Sequence, residues 1–185
     1  MRANCFLDIE ALGAGEDMPH YAVLSKAYHV LHGAFGGNKG KYAVAFPNAR
    51  QGRTRTIGNV IRVFSETNAD LYALIEKVKG HHLMRDYVRL SLPRDVPTDF
   101  NGKWMTWRRV RIQKKEGVNR DKTIKRANES VFFEIRSSGG NFFPLRLCSE
   151  PAKPQLTDFV PNSYGLASGG NLKGVGLNLF SLPVI

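Results

Sequence analysis

The N-terminal half of the chain switches repeatedly between a two-residue and a helical hydrophobic period. Residues 4–10 (NCFLDIE) form a short apolar run with weak alternation, closed by a loop with Gly13 and Gly15, and read as a strand. Asp17 and Pro19 signal a helix start, and over residues 18–35 Tyr21, Leu24, Tyr28, Leu31 and Phe35 recur at helical spacing until Gly36-Gly37 stops them. Residues 42–46 (YAVAF) and 58–64 (GNVIRVF) are apolar strands, joined by a loop with Pro47, Asn48, Gly52 and the cations Arg50, Arg53 and Arg55. Thr67 and Asn68 open a second helix with Leu71, Leu74, Ile75 and Val78 on one face and Gly80 at its end. Residues 86–92 alternate Tyr87/Arg89/Ser91 with Val88/Leu90/Leu92, as a strand with one buried face would. The order β-α-β-β-α-β is the split βαβ arrangement of ferredoxin-like folds. Pro93 and Pro97 mark its end, so the expected division is a ferredoxin-like domain over 1–96 and a smaller domain over 97–185.

The second half is less regular. Residues 104–113 can be extended, Asn119 can cap a short helix through about Asn128, and residues 131–136, 142–148 and 157–164 are strand candidates. Gly139-Gly140 reads as a tight turn and Pro151/Pro154 as a break, while the stretch from Tyr164 carries five glycines suited to turns or to a close ligand approach. Gly174-Val175-Gly176 lacks the third glycine and the helix start of a dinucleotide cradle. The expected fold class is therefore α+β, with a strand-rich C-terminal domain bearing a short basic helix.

Charge alters this picture most around the basic helix. Residues 101–126 hold ten Lys or Arg against Glu116 and Asp121, eight of the eleven net positive charges of the 185-residue chain, with Trp104 and Trp107 interleaved. Cations gathered in this way are the footprint of a polyanion site, because each one placed on a phosphate releases a condensed counterion. With a pI near 9.9, ordinary hydrophobicity and no stretch pairing a basic face with a long apolar one, the expected partner is nucleic acid and not a membrane. Cys5 and Cys148 imply neither a disulfide framework nor a thiolate metal site, which fits a reducing cytoplasm. Asp8 and Glu10 interrupt any signal-peptide core and no apolar run reaches membrane-spanning length, so the expectation is a soluble, unexported protein.

No metalloprotease, EF-hand or Walker motif appears, nor a close carboxylate pair, and no cofactor is expected. Histidine remains. Ser25, His29 and His32 form one strip flanking the apolar face of the first helix. An imidazole with a pKa of about 6.5 is suited to removing the proton of a ribose 2′-hydroxyl, which then attacks the adjacent phosphate without a metal. Ser137 and Ser138, at the turn after the 131–136 strand, can hydrogen-bond a ribose hydroxyl or simply form that turn.

The segments YHVLHGAFGG with YAVAFP, RSSGGNFFPLRL and YGLASGG resemble the CRISPR RNA-processing endoribonuclease of type I-F systems. That resemblance implies a ferredoxin-like domain followed by one with an arginine-rich helix. It also implies metal-independent cleavage of precursor CRISPR RNA at the base of the repeat hairpin, with the protein staying bound to the mature guide RNA beside the other subunits of a surveillance complex. By position it places the general base at His29, which keeps the family's distance to Gly36-Gly37, and the ribose-holding serine at Ser137 with Ser138 beside it. Tyr164 falls where a tyrosine orients the histidine, Phe143 where an aromatic stacks under the closing base pair, and Arg108 and Arg109 where linker residues read the foot of the stem. Arg111, Lys114, Lys115, Arg120, Lys122, Lys125 and Arg126 complete the expected RNA surface. The family's basic helix is longer and richer in arginine, and two residues are added after Gly36-Gly37. The alternative is a non-catalytic subunit that caps the hairpin within a CRISPR ribonucleoprotein, and a general RNA-binding protein is a third.

Overall fold

The computed structural model describes residues 1–13, 18–38, 40–111, 118–136, 141–155, 157–167 and 179–185. Its first sheet orders β2 (Ala43–Ala45), β3 (Val60–Ser65), β1 (Cys5–Ala11) and β4 (Val88–Leu90) side by side, all antiparallel, with β5 (Arg94–Asp95) as a second partner of β1. This is the ferredoxin-like order. The alternation in β1 builds it: Cys5, Leu7, Ile9 and Ala11 are buried on the face that α1 (His20–Phe35) and α2 (Asn68–Val78) cover. Thr67 caps α2 by accepting the Asp70 amide at 3.2 Å. On the other face Asp8 holds Arg62 and Arg94, each at 2.7 Å, and both guanidiniums lie over the Phe6 ring at 4.5 and 4.7 Å. That ring is thus already covered by two guanidiniums and is not open for a base to stack on.

The second sheet runs β7 (Val131–Arg136), β8 (Phe142–Ala152), β6 (Trp104–Arg109) and β9 (Leu182–Pro183), again antiparallel, with α4 (Val118–Glu129) packed on β8. One hydrophobic core joins the sheets through α1. Tyr28 stacks on Phe133 of β7 at 4.7 Å with planes 7° apart, and Phe46 meets both Phe133 at 5.3 Å and the edge of Trp107 at 5.0 Å. Tyr28 also donates its hydroxyl proton to the carbonyl of Tyr164 at 2.8 Å, so its single polar atom is satisfied in the core.

Several expectations shift for physical reasons. Tyr21 is 65% exposed, and the buried stripe of α1 uses Val23, Leu24, Ala27, Tyr28, Leu31 and Phe35 instead, since the helix starts only at His20. Residues 82–86 form the separate short helix α3 (His82–Asp86), which leaves β4 only three residues and Leu92 72% exposed. Asn119 lies inside α4 rather than capping it. Residues 157–164 form no strand among those described, because Asn162 turns the chain by accepting the Tyr164 and Leu166 amides through its side chain. Pro151 does not break β8, whose register with β6 continues through Ala152. The turn at Gly139-Gly140 and the glycines of 168–178 lie outside the described residues.

Candidate functional site

Four side chains from four parts of the chain meet beside the C-terminal half of α1. His32 sits at the margin of the buried stripe, one turn beyond Tyr28, and its ring stacks on that of Tyr164 with centroids 4.2 Å apart. Tyr164 is held by its own backbone, through the Tyr28 hydroxyl on its carbonyl and the Asn162 side chain on its amide, both at 2.8 Å. Gly165, with φ +71°, follows it, and a Cβ there would stand 3.0 Å from Val44, so the tight turn that aims Tyr164 at α1 needs glycine. Arg109, the last residue of β6, lies over both the Tyr164 ring and the Phe143 ring at 5.6 Å. Phe143 comes from the start of β8.

His29 stands on the same strip, one turn before His32, and is exposed. Burial, together with the like charge of His29, lowers the pKa of His32 from its ordinary 6.5. The neutral imidazole, a proton acceptor, is the favoured form near neutrality. Burial pushes the Tyr28 phenol far up, so it remains a donor to the Tyr164 carbonyl. The histidine whose ring meets Tyr164 is His32, whereas the spacing to Gly36-Gly37 points to His29.

The expected RNA surface divides. Lys122 and Lys125 are exposed on α4, and Arg111 is exposed after β6. Arg126 and Arg108 instead share Glu150 of β8, at 2.9 and 2.5 Å, with the Arg108 side chain only 19% exposed. Arg120 is half-buried. Lys114, Lys115, Ser137 and Ser138 lie outside the described residues; Ser137 directly follows the Arg136↔Phe142 pair that closes the β7–β8 ladder next to Phe143. Glu150 was missed from sequence because no spacing pairs a carboxylate with arginines on another strand and helix. Three further contacts dock the β2–β3 loop against α4 and β8: Arg55 donates to the Asn128 carbonyl, the Gly52 amide to Glu129, and the Gln51 side chain to Ser149. A shallow pocket of about 290 Å³ beside Arg108 and Glu150 includes none of the four clustered side chains. We place the candidate site at the cluster, because there a half-buried histidine, two aromatic rings and a cation converge.

The family model of CRISPR-associated protein (Cas_Csy4) matches residues 6–135. The chain belongs to the Csy4 family of CRISPR-associated proteins. No curated protein matches the chain. Csy4-type proteins process CRISPR RNA, and the chain is a CRISPR-associated RNA-processing protein on that basis. The Csy4 match takes in α1 with His29 and His32, β6 with Arg108 and Arg109, and α4, and it ends inside β7. No helix among the described residues is long and apolar enough to cross a membrane.

Proposed function

We infer that this protein is an endoribonuclease that binds the repeat hairpin of precursor CRISPR RNA and cuts at its base by attack of a ribose 2′-hydroxyl on the adjacent phosphate. The reaction uses no metal and leaves a 2′,3′-cyclic phosphate and a 5′-hydroxyl. The enzyme keeps the mature guide RNA and works in the cytoplasm within a type I-F surveillance complex.

The observation that carries this reading is the cluster of His32, Tyr164, Arg109 and Phe143 with His29 one turn away. It brings a proton acceptor, a cation for the phosphate and aromatic rings for a base pair to one place. A histidine of the α1 strip takes the 2′-hydroxyl proton; the spacing to Gly36-Gly37 points to His29 and the ring contact with Tyr164 to His32. Ser137, with Ser138, holds the ribose; Tyr164 orients the helix histidine it meets; Phe143 stacks below the closing pair. Arg108 and Arg109 read the foot of the stem, while Arg111, Lys114, Lys115, Arg120, Lys122, Lys125 and Arg126 neutralise phosphates.

The test is cleavage of the neighbouring array's repeat hairpin in excess EDTA, with the product end groups identified. Cutting should persist, and a deoxyribose just 5′ of the scissile phosphate should abolish it while hairpin binding survives. Strict dependence on a divalent ion, or cutting of the deoxy substrate, sinks this mechanism.

A further inference from the structure

We propose that the histidine strip of α1 works as a pair, with His32 taking the proton of the attacking 2′-hydroxyl and His29 giving one to the departing 5′-oxygen. This rests on the endoribonuclease reading and divides its labour further. The spacing to Gly36-Gly37 distinguishes one histidine, but the three-dimensional contacts distinguish the other. His32 is half-buried and its ring is fixed against Tyr164 at 4.2 Å, which is itself anchored by the Tyr28 hydroxyl at 2.8 Å. A proton acceptor has to be held in one orientation to meet a single hydroxyl, and a ring packed on a backbone-anchored phenol meets that need. His29 is exposed one turn away, open to solvent and substrate.

The titratable and charged groups brought to His32 are His29 on its own helix, Tyr164 from the 162–167 loop, and Arg109 of β6 across the Tyr164 ring. Burial and the neighbouring imidazole both disfavour a charge on His32. The two histidines stand three residues apart on one face of α1, so both can reach one substrate phosphate, one to accept a proton and the other to give one.

The step balances without a co-reactant. The 2′-oxygen forms a bond to phosphorus as its proton passes to a ring nitrogen of His32, and the bond from phosphorus to the 5′-oxygen breaks as His29 protonates that oxygen. The products are the cyclic phosphate and the 5′-hydroxyl. His32 ends charged and His29 neutral, and exchange with water resets both.

The experiment compares the ordinary hairpin with one whose scissile 5′-oxygen is replaced by sulfur. A thiol is a far stronger acid than an alcohol, so a thiolate departs without needing a donated proton. His29→Ala should lose roughly 10² to 10⁴ in single-turnover rate on the ordinary RNA, yet come within about tenfold of wild type on the sulfur-linked RNA. His32→Phe keeps an aromatic ring against Tyr164 but cannot take a proton, and should be slow on both. His32→Gln is the second variant, and the hairpin affinity and melting temperature of each are measured alongside, so that a misfolded protein is recognised as such. Rescue of the His32 variants in place of His29→Ala overturns the division, as does no rescue of any variant. Ordinary cleavage within about threefold of wild type by folded His32→Phe also overturns it, since general-base loss costs far more. A wild type that cuts neither RNA overturns the endoribonuclease reading beneath it, a result visible before any variant is made.

Discussion

The ring of His32 lies 4.2 Å from that of Tyr164, at an interplanar angle of 26°. The contact joins the last turn of α1 to a loop near the far end of the chain, and the anchor on which it depends is the Tyr28 hydroxyl on the Tyr164 carbonyl, a bond between residues 136 positions apart. The geometry of the candidate site and core packing are thereby coupled at one tyrosine.

Tyr28→Phe should expose that coupling. It leaves the stacking on Phe133 but removes one buried hydrogen bond, at a cost of about 0.5–1.5 kcal/mol, and leaves the Tyr164 carbonyl short of a donor. For a chain of this size each kcal/mol lowers the melting temperature by roughly 2–4 °C. Phe133→Ala, which empties the centre of the shared core, should cost about 3–5 kcal/mol. Thermal unfolding measures both; equal melting temperatures for wild type and Tyr28→Phe would mean that the hydroxyl does not anchor the loop. Single-turnover cleavage should also slow in Tyr28→Phe, because Tyr164 loses its fixed seat.

Lowering the pH should destabilise the free protein partly through His32. Its folded pKa is depressed below the ordinary 6.5, chiefly by burial, so below that value the unfolded chain binds the proton more readily. Stability from this group is present above the unfolded pKa and is lost as pH falls through the folded one. His32→Phe removes the titrating ring and should flatten the decline of melting temperature between about pH 7 and 5. A decline as steep in His32→Phe as in wild type would assign the pH sensitivity to other groups.

Much of the N-terminal domain was legible because its strands and helices carry their own periodicity. The apolar face of β1 and the N-cap at Thr67 follow from local sequence alone. Tyr21 and Leu92 were misplaced for the opposite reason: each is apolar at the right spacing, but one lies in the exposed first turn of α1 and the other beyond the end of a shortened β4. The site was half legible. The histidine strip and the tyrosine of YGLASGG were both visible, yet which histidine Tyr164 meets depends on how the 162–167 loop crosses α1, and no local pattern encodes that. The engagement of Arg108 and Arg126 by Glu150 likewise arises from the β6–β8 register and from where α4 docks.

Glu150 should therefore grade the basic surface. Lys122→Ala and Lys125→Ala are expected to weaken every hairpin similarly and to reduce the slope of log affinity against log salt by about one each. Arg126→Ala should change that slope less, because its charge is already shared with a carboxylate at 2.9 Å. Glu150→Gln should tighten binding at low salt by removing the competing anion. Fluorescence anisotropy across a salt series checks all four, and identical slopes for Arg126→Ala and Lys122→Ala would show that Glu150 leaves Arg126 as free to meet phosphate as the lysines.

Arg109 offers a sharper test than Arg108, since its guanidinium spans the Phe143 and Tyr164 rings while Arg108 is tied to Glu150 and half-buried. A planar guanidinium can lie on a ring and still present hydrogen-bond donors at its edge, whereas a lysine ammonium is a compact, strongly hydrated charge. The deep groove of A-form RNA is closed to side chains along most of its length, but base edges open near helix ends and loops, and the foot of the stem is such an end. If Arg109 meets a base there, Arg109→Lys keeps the charge and the salt slope but should lose about 1–3 kcal/mol of affinity for the cognate hairpin, and much less for a hairpin altered at that pair. Arg109→Ala should lose the same discrimination and, in addition, about one unit of slope. Both variants should slow cleavage as well as binding, because the ring that Arg109 covers is the one on which His32 rests. Equal affinity losses on cognate and base-swapped hairpins would leave recognition by shape and charge alone. A cleavage rate unchanged once binding is saturated would separate Arg109 from the chemistry.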